Sequence, residues 1–387
     1  MAVDHSGWKF ATKAIHVGQE PDPRTGATVP PVHLTTTFTQ ESPGKHKGYE
    51  YARSNNPTRE ALERCIAALE GGAAARCFSS GSAASIVVFA HLKPGDKVLA
   101  FSDVYGGTFR MLKQVFEGYG IVPVYTDDPS PAAFAKLIDD KTKLVWVESV
   151  TNPLLRVIDI AGVAKVAHAA GALLAVDNTF ATPALLTPIA HGADYVVHSC
   201  TKYLGGHSDV VGGAVVVKDA AKLDRVAFLQ NVFGGVPGPF DCYLLHRGLK
   251  TLSIRMRQHN ENAKQLAEHF AGHAKLERVV YPLLADHPDH ELATRVLCGG
   301  GGMVTIVFKG GRDAAYRFCE NLKVFALAES LGGVESLCCH PAVMTHASIP
   351  KEIRERRGVT DGLVRLSVGI EDVGDLIADV EQAMGKA

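Results

Sequence analysis

Gly171-Ala-Leu-Leu-Ala-Val176 runs straight into Asp177-Asn-Thr-Phe180, a short apolar stretch that stops on a carboxylate and a turn. Five or six apolar residues are too few for a buried helix and suit a strand covered on both faces. Similar runs recur at 75–78, 97–101, 121–125, 144–147, 195–197 and 214–217, with amphipathic stretches between most of them. Strand and helix in alternation imply an α/β fold with a mainly parallel sheet between helices. The last gap, 197–214, has little room for a crossover helix and contains Gly205, Gly206, Gly212 and Gly213. Its closing strand therefore reads equally well as parallel or antiparallel to its neighbours.

Three regions follow from this pattern. Residues 1–58 carry Pro21, Pro23, Pro30, Pro31, Pro43 and Pro57 without a sustained hydrophobic period, which reads as an extended N-terminal arm. Residues 59–250 form the large domain. A leucine-rich stretch over 239–270 reads as a linking helix, and 251–387, with strand signals at 303–308 and 363–368, reads as a smaller C-terminal α+β domain.

Composition removes whole classes. Of 387 residues, 46% are hydrophobic and 21% charged, which excludes disordered, collagenous and coiled-coil chains. Forty basic residues against 41 acidic give a net charge of -1, so no general attraction to nucleic acid or anionic lipid is expected. Eight cysteines without any Cys-x-x-Cys pair suit reduced thiols in the cytosol, with neither a disulfide frame nor a metal site. No apolar run approaches the roughly 20 residues that span a bilayer, and Met1-Ala-Val-Asp-His-Ser6 is too polar for a signal peptide.

No Gly-x-Gly-x-x-Gly, Walker loop, His-Glu-x-x-His or Gly-x-Ser-x-Gly is present. Polar residues instead cluster where strands end, the ligand edge of an open α/β sheet. Ser79-Ser-Gly81-Ser82-Ala-Ala-Ser85 opens a helix after a strand, and is either a capped turn or a phosphate cradle. Asp177 is either a satisfied turn residue or the counter-charge of a protonated ring nitrogen. Ser199-Cys-Thr201-Lys202 follows the next strand; a desolvated lysine there forms a Schiff base, whereas a solvated one does nothing. Cradle, carboxylate and lysine together are the inventory that holds pyridoxal phosphate. Tyr105, in Asp103-Val-Tyr-Gly-Gly-Thr108, could lie against a flat ring. Arg365 interrupts an apolar strand and needs an anion, either a substrate carboxylate or a structural aspartate.

These motifs, with Tyr49 to Arg59, Ser199 to Asp209, Leu327 to Ser336, Met344 to Ser348 and Arg365 to Asp372, resemble the cysteine and methionine metabolism group of fold-type I pyridoxal-phosphate enzymes over almost the whole chain. The resemblance implies that Lys202 carries the cofactor covalently and serves as base, and that Asp177 pairs with its ring nitrogen while Tyr105 stacks on the ring. It implies phosphate contacts from Gly81, Ser82, Ser199 and Thr201, and from Tyr51 and Arg53 of a neighbouring subunit within a homotetramer. Substrate carboxylate is expected at Arg365, Asn152 and Ser330. Glu329, Arg110 and Glu50 are expected at the distal end, and Tyr51 or Tyr105 to assist proton transfer at the leaving sulfur. The activity implied is γ-elimination of L-cystathionine. Synthesis of cystathionine from an O-acylhomoserine and cysteine is the nearest alternative, and an inactive binding protein on the same fold the alternative of another class.

Overall fold

A computed structural model describes residues 4–347 and 349–387, so Ser348 at the end of the Met344 run lies outside the described residues. Seven strands build the larger sheet: β1 (Ala74–Phe78), β2 (Lys97–Phe101), β3 (Val122–Thr126), β4 (Thr142–Glu148), β5 (Leu173–Asp177), β6 (Tyr195–Ser199) and β7 (Gly213–Val217). Their spatial order is β1-β7-β6-β5-β4-β2-β3. Strands β2 to β6 pair in parallel, and β7 is antiparallel to both β6 and β1. The short glycine-rich connection resolves the open reading in favour of the antiparallel strand, because no helix intervenes to carry the chain back.

Apolar residues of the central strands divide between two cores. Val145, Val147, Leu174 and Val176 face the helices Pro57–Glu70 and Ile160–Ala169. Leu144, Trp146 and Ala175 face Gly81–Phe89 and Leu223–Phe233. Burial on both faces is why these strands read as continuous rather than alternating apolar runs. The helix Pro57–Glu70 starts where Asn56 accepts the N–H groups of Thr58 and Arg59, and it stops at Gly71, whose φ of 71° no L side chain adopts easily.

The smaller sheet comprises β8 (Leu276–Val280), β9 (Met303–Phe308), β10 (Ala326–Leu327), β11 (Leu337–Cys339) and β12 (Leu363–Ser367), in the order β10-β11-β12-β9-β8. Only the β10–β11 pair is parallel. Phe270, Ile306, Phe318, Leu366 and Val380 fill its own core. The fold is thus the expected fold-type I α/β architecture, with a large mixed sheet and a smaller C-terminal one.

Two local expectations need correction. The stretch 239–270 is two helices, Pro239–Leu249 and Leu252–Phe270, because Lys250 and Thr251 break the run. The arm is not wholly extended: Phe10–His16 is a helix whose Ala14 packs in the core with Leu62 and Cys65. Seven residues make too short a helix to show a period, and packing on a neighbouring helix supplies what propensity does not. Among the described residues, no helix is long and apolar enough to cross a membrane.

Candidate active site

With β7 reversed, the carboxyl ends of β1, β2, β4, β5 and β6 all face the same edge of the large sheet. A cavity of about 260 Å³ lies there, closed on the far side by residues before β11 and by Arg365 of β12. After β1 the chain turns at Ser79-Ser80 into the helix Gly81–Phe89, where Ser80 Oγ accepts the N–H of Ala83. The first N–H groups of that helix have no partner within it and sit at the cavity beside Ser82. Glycine is required at this turn. A Cβ on Gly81 would stand 2.8 Å from Ser199 Cβ, and one on Gly213 would run into the Ser80 carbonyl.

Asp177 ends β5 and accepts the N–H of Thr179 at 3.0 Å. Burial pushes its carboxyl upward, while the Thr179 contacts oppose that shift. Tyr105, after β2, is partly exposed at the cavity, with its ring folded over Gly107, where a Cβ would run into the ring. Ser199 at the end of β6, and Thr201 and Lys202 from the loop after it, all reach the cavity. Lys202 Nζ donates to Ser330 Oγ at 2.6 Å. Its amine is pushed down to about 8, chiefly by burial and next by the neighbouring Arg365.

Arg365 is 2% exposed. It donates from Nη1 to Asn152 Oδ1 at 2.8 Å and from Nη2 to the Ser330 carbonyl at 2.9 Å, while Nε is buried without a partner among the described residues. Among the described residues no aspartate meets this guanidinium, so of its two readings the structural-aspartate one loses support. Ser330 itself has φ 89°, a backbone conformation that non-glycine residues avoid unless their surroundings hold it.

The structure therefore brings together Gly81, Ser82, Tyr105, Asn152, Asp177, Ser199, Thr201, Lys202, Glu329, Ser330 and Arg365 around one cavity. Glu50, Tyr51, Arg53 and Arg110 do not line it and are exposed. Glu148, which sequence reasoning passed over, does line it. It ends β4 opposite Asp177 in register, and burial together with that neighbouring carboxylate pushes it well up. The available signal was the one that marked Asp177, a carboxylate closing an apolar strand.

The chemistry of these donors fits pyridoxal phosphate. A glycine-tight helix start and two hydroxyls suit a phosphate, a buried carboxylate suits a ring nitrogen, and a desolvated amine suits an aldehyde. Comparison with known proteins agrees. Residues 11–385 match the family model described as Cys/Met metabolism PLP-dependent enzyme. The chain is 52% identical over 379 residues to a cystathionine gamma-synthase of Mycobacterium bovis, covering 97% of this chain and 96% of the relative. It is 49% identical over 382 residues to a cystathionine gamma-lyase of Dictyostelium discoideum, covering 98% and 99%. The crystal structure of metB from Corynebacterium glutamicum superposes with a TM-score of 0.96 at 47% identity, covering 99% of each chain. The chain belongs to the Cys/Met metabolism family of pyridoxal-phosphate-dependent enzymes, whose cofactor is pyridoxal 5'-phosphate.

Proposed function

We propose that this enzyme catalyses γ-elimination of L-cystathionine, consuming water and releasing L-cysteine, 2-oxobutanoate and ammonia. The observation that carries the reading is the Lys202 amine. It is buried and held down to about 8, between the carboxylate side of the cavity and the Arg365 anchor, with Glu329 at the rim. An amine that titrates near neutrality both takes and returns a proton at working pH.

The cofactor would be held by the N–H groups at Gly81 and Ser82, the hydroxyls of Ser199 and Thr201, the Asp177 carboxylate and the Tyr105 ring, with Lys202 as its covalent attachment. When bound, it supplies a sink for the electron pair left at Cα. The Lys202 amine would act as base at Cα and then as proton shuttle at Cβ, where loss of a proton lets the Cγ–sulfur bond break. Arg365, steered by Asn152 and Ser330, orients the α-carboxylate, and its unpartnered Nε offers a further donor. Tyr105 or Tyr51 protonates the departing sulfur, and Glu329 receives the distal ammonium of cystathionine, with Arg110 and Glu50 nearby.

Assembly is part of the proposal. Tyr51 and Arg53 stand outside their own chain's cavity and complete a neighbour's phosphate site in a homotetramer. An apolar surface supports this: Val211 at the cavity rim and Phe228, Val232, Phe233 and Phe240 are all more than half exposed. The helix that carries Phe228, Val232 and Phe233 leads to Gly235, whose carbonyl accepts the Ser79 N–H of the phosphate turn at 2.8 Å. Three such apolar side chains exposed on one short helix ask for a partner surface. Eight free cysteines suit a reducing cytosol.

A second reading, γ-replacement that joins an O-acylhomoserine to cysteine, draws support from the 52% identity to the mycobacterial synthase. Product analysis separates the two. With L-cystathionine alone, 2-oxobutanoate and cysteine are expected; cystathionine formed from O-succinyl- or O-acetyl-homoserine plus cysteine, without elimination in the first arm, overturns the lyase reading. Turnover in neither arm, with cofactor bound, would point to an inactive binding protein.

A further inference from the structure

We infer that Glu148 is a positioning residue that ties the aromatic ring of Tyr105 to the Asn152–Arg365 anchor, an inference that rests on the roles proposed above for those residues. Strands β2 and β4 are parallel neighbours in the sheet, so the loops that follow them leave from the same edge. The Glu148 carboxylate bridges the two loops. Oε1 accepts the N–H of Tyr105 at 2.6 Å, and Oε2 accepts the N–H of Asn152 at 3.1 Å. From Tyr105 the tie continues into the helix Gly106–Arg110, which has no side-chain cap of its own. From Asn152 it continues through Oδ1 to Arg365. The same two loops are joined again by Thr151 Oγ1, which donates to Asp103 Oδ2, and His346 Nε2 meets the Asn152 carbonyl at 3.1 Å.

Packing alone does not account for a carboxylate here. Glu148 is 4% exposed and lies in register beside Asp177, so it is both desolvated and next to a like charge. Such a group is expensive for a fold unless its acceptors are needed. Both oxygens are used by backbone donors, and only a carboxylate of this length offers two acceptors at that spacing. Glutamine keeps the shape but turns an NH₂ toward one of the two N–H groups. Aspartate keeps both acceptors but withdraws them by one methylene.

The test uses Glu148→Gln and Glu148→Asp as purified holoenzyme and as apoprotein titrated with pyridoxal phosphate. Readouts are the cofactor dissociation constant, the visible circular dichroism of bound cofactor, the affinity for glycine followed by cofactor absorption, and Tm. Loss of one bond to a charged acceptor gives about tenfold to a hundredfold. Glu148→Gln is therefore expected to weaken cofactor and glycine binding together by at least tenfold, to alter the dichroism, and to add no further loss of glycine affinity in an Asn152→Ala background. Glu148→Asp should recover part of both affinities. A lowered Tm with both affinities and the dichroism unchanged would make Glu148 merely structural and overturn the inference. If Glu148→Gln does not fold, wild-type affinities in Glu148→Asp overturn it equally. Cofactor affinity and dichroism need no turnover, so failure of the lyase reading shows separately, as absent elimination by the wild-type enzyme.

Discussion

Replacing Asp177 by Asn removes a charge at the end of β5 with almost no change of shape. The amide oxygen can still accept the Thr179 N–H that Oδ1 accepts at 3.0 Å, so the turn should persist. On the proposed role of Asp177, the NH₂ then points where an acceptor is needed for the protonated ring nitrogen. A hydrogen bond to a charged group is worth about 1.5–3 kcal/mol, and leaving the opposed donor unsatisfied adds to this. A combined loss of about 3–4 kcal/mol corresponds to roughly a hundredfold to a thousandfold in rate. Stability should move the other way or not at all, because the substitution removes a buried charge from beside Glu148. The assay is initial 2-oxobutanoate release at saturating L-cystathionine, with cofactor occupancy read by absorbance and Tm measured in parallel. A rate within threefold of wild type at full occupancy would refute the assignment. A large fall in Tm would mean instead that Asp177 serves the fold.

Lys202→Ala should abolish turnover and the covalent cofactor band while leaving Tm near that of the wild-type apoprotein; near-wild-type elimination would remove the amine from the mechanism. His246, His259 and His346 are each held down to about 4, mainly by burial. Because the unfolded chain binds those protons from about pH 6.5, stability should fall as pH drops below 6.5 and level off below about 4. At pH 5 the loss is at most about 2 kcal/mol per imidazole, and equal calorimetric stability at pH 7.5 and 5 would contradict it. Mixing inactive Arg53→Ala and Lys202→Ala subunits through dissociation and reassociation should restore part of the activity if sites are shared. Mixed oligomers that stay inactive would put Arg53 in its own subunit's service.

Much of this cavity was legible because its residues stand directly after apolar runs. Asp177 and Ser199 close strands and Thr201 and Lys202 follow one, each just past an apolar run, and Arg365 is conspicuous inside Leu363–Ser367. Glu148 follows the same rule, yet its partners are backbone N–H groups, one of them on Tyr105, 43 residues earlier. No side-chain motif announces such a bond. The antiparallel β7 lies between β6 and β1, where Gly213 meets the Ser80 carbonyl, a contact between segments more than 130 residues apart. Composition hinted at a short connection but not at which strand would receive it. The helix Phe10–His16 owes its stability to a neighbour rather than to its own seven residues. For Tyr51 and Arg53 a single chain offers only exposure, so family resemblance remains the source of their proposed role.

Like charges sit side by side at both ends of the cavity. Asp177 and Glu148 are in register at the sheet edge, and Arg365 helps to push down the Lys202 amine opposite. Neither arrangement favours the protein by itself, since each places like charges together in a poorly solvated space. On the proposed roles, a protonated ring nitrogen at Asp177 and a carboxylate at the unpartnered Nε of Arg365 relieve both ends at once. The same electrostatics then set selectivity. An amine without a carboxylate leaves the Arg365 end unrelieved, and a carboxylic acid without an amine would have no group to take the place proposed for the Lys202 amine. Only an amino acid meets both conditions, which ties the choice of substrate class to buried charges that the fold would otherwise do better without.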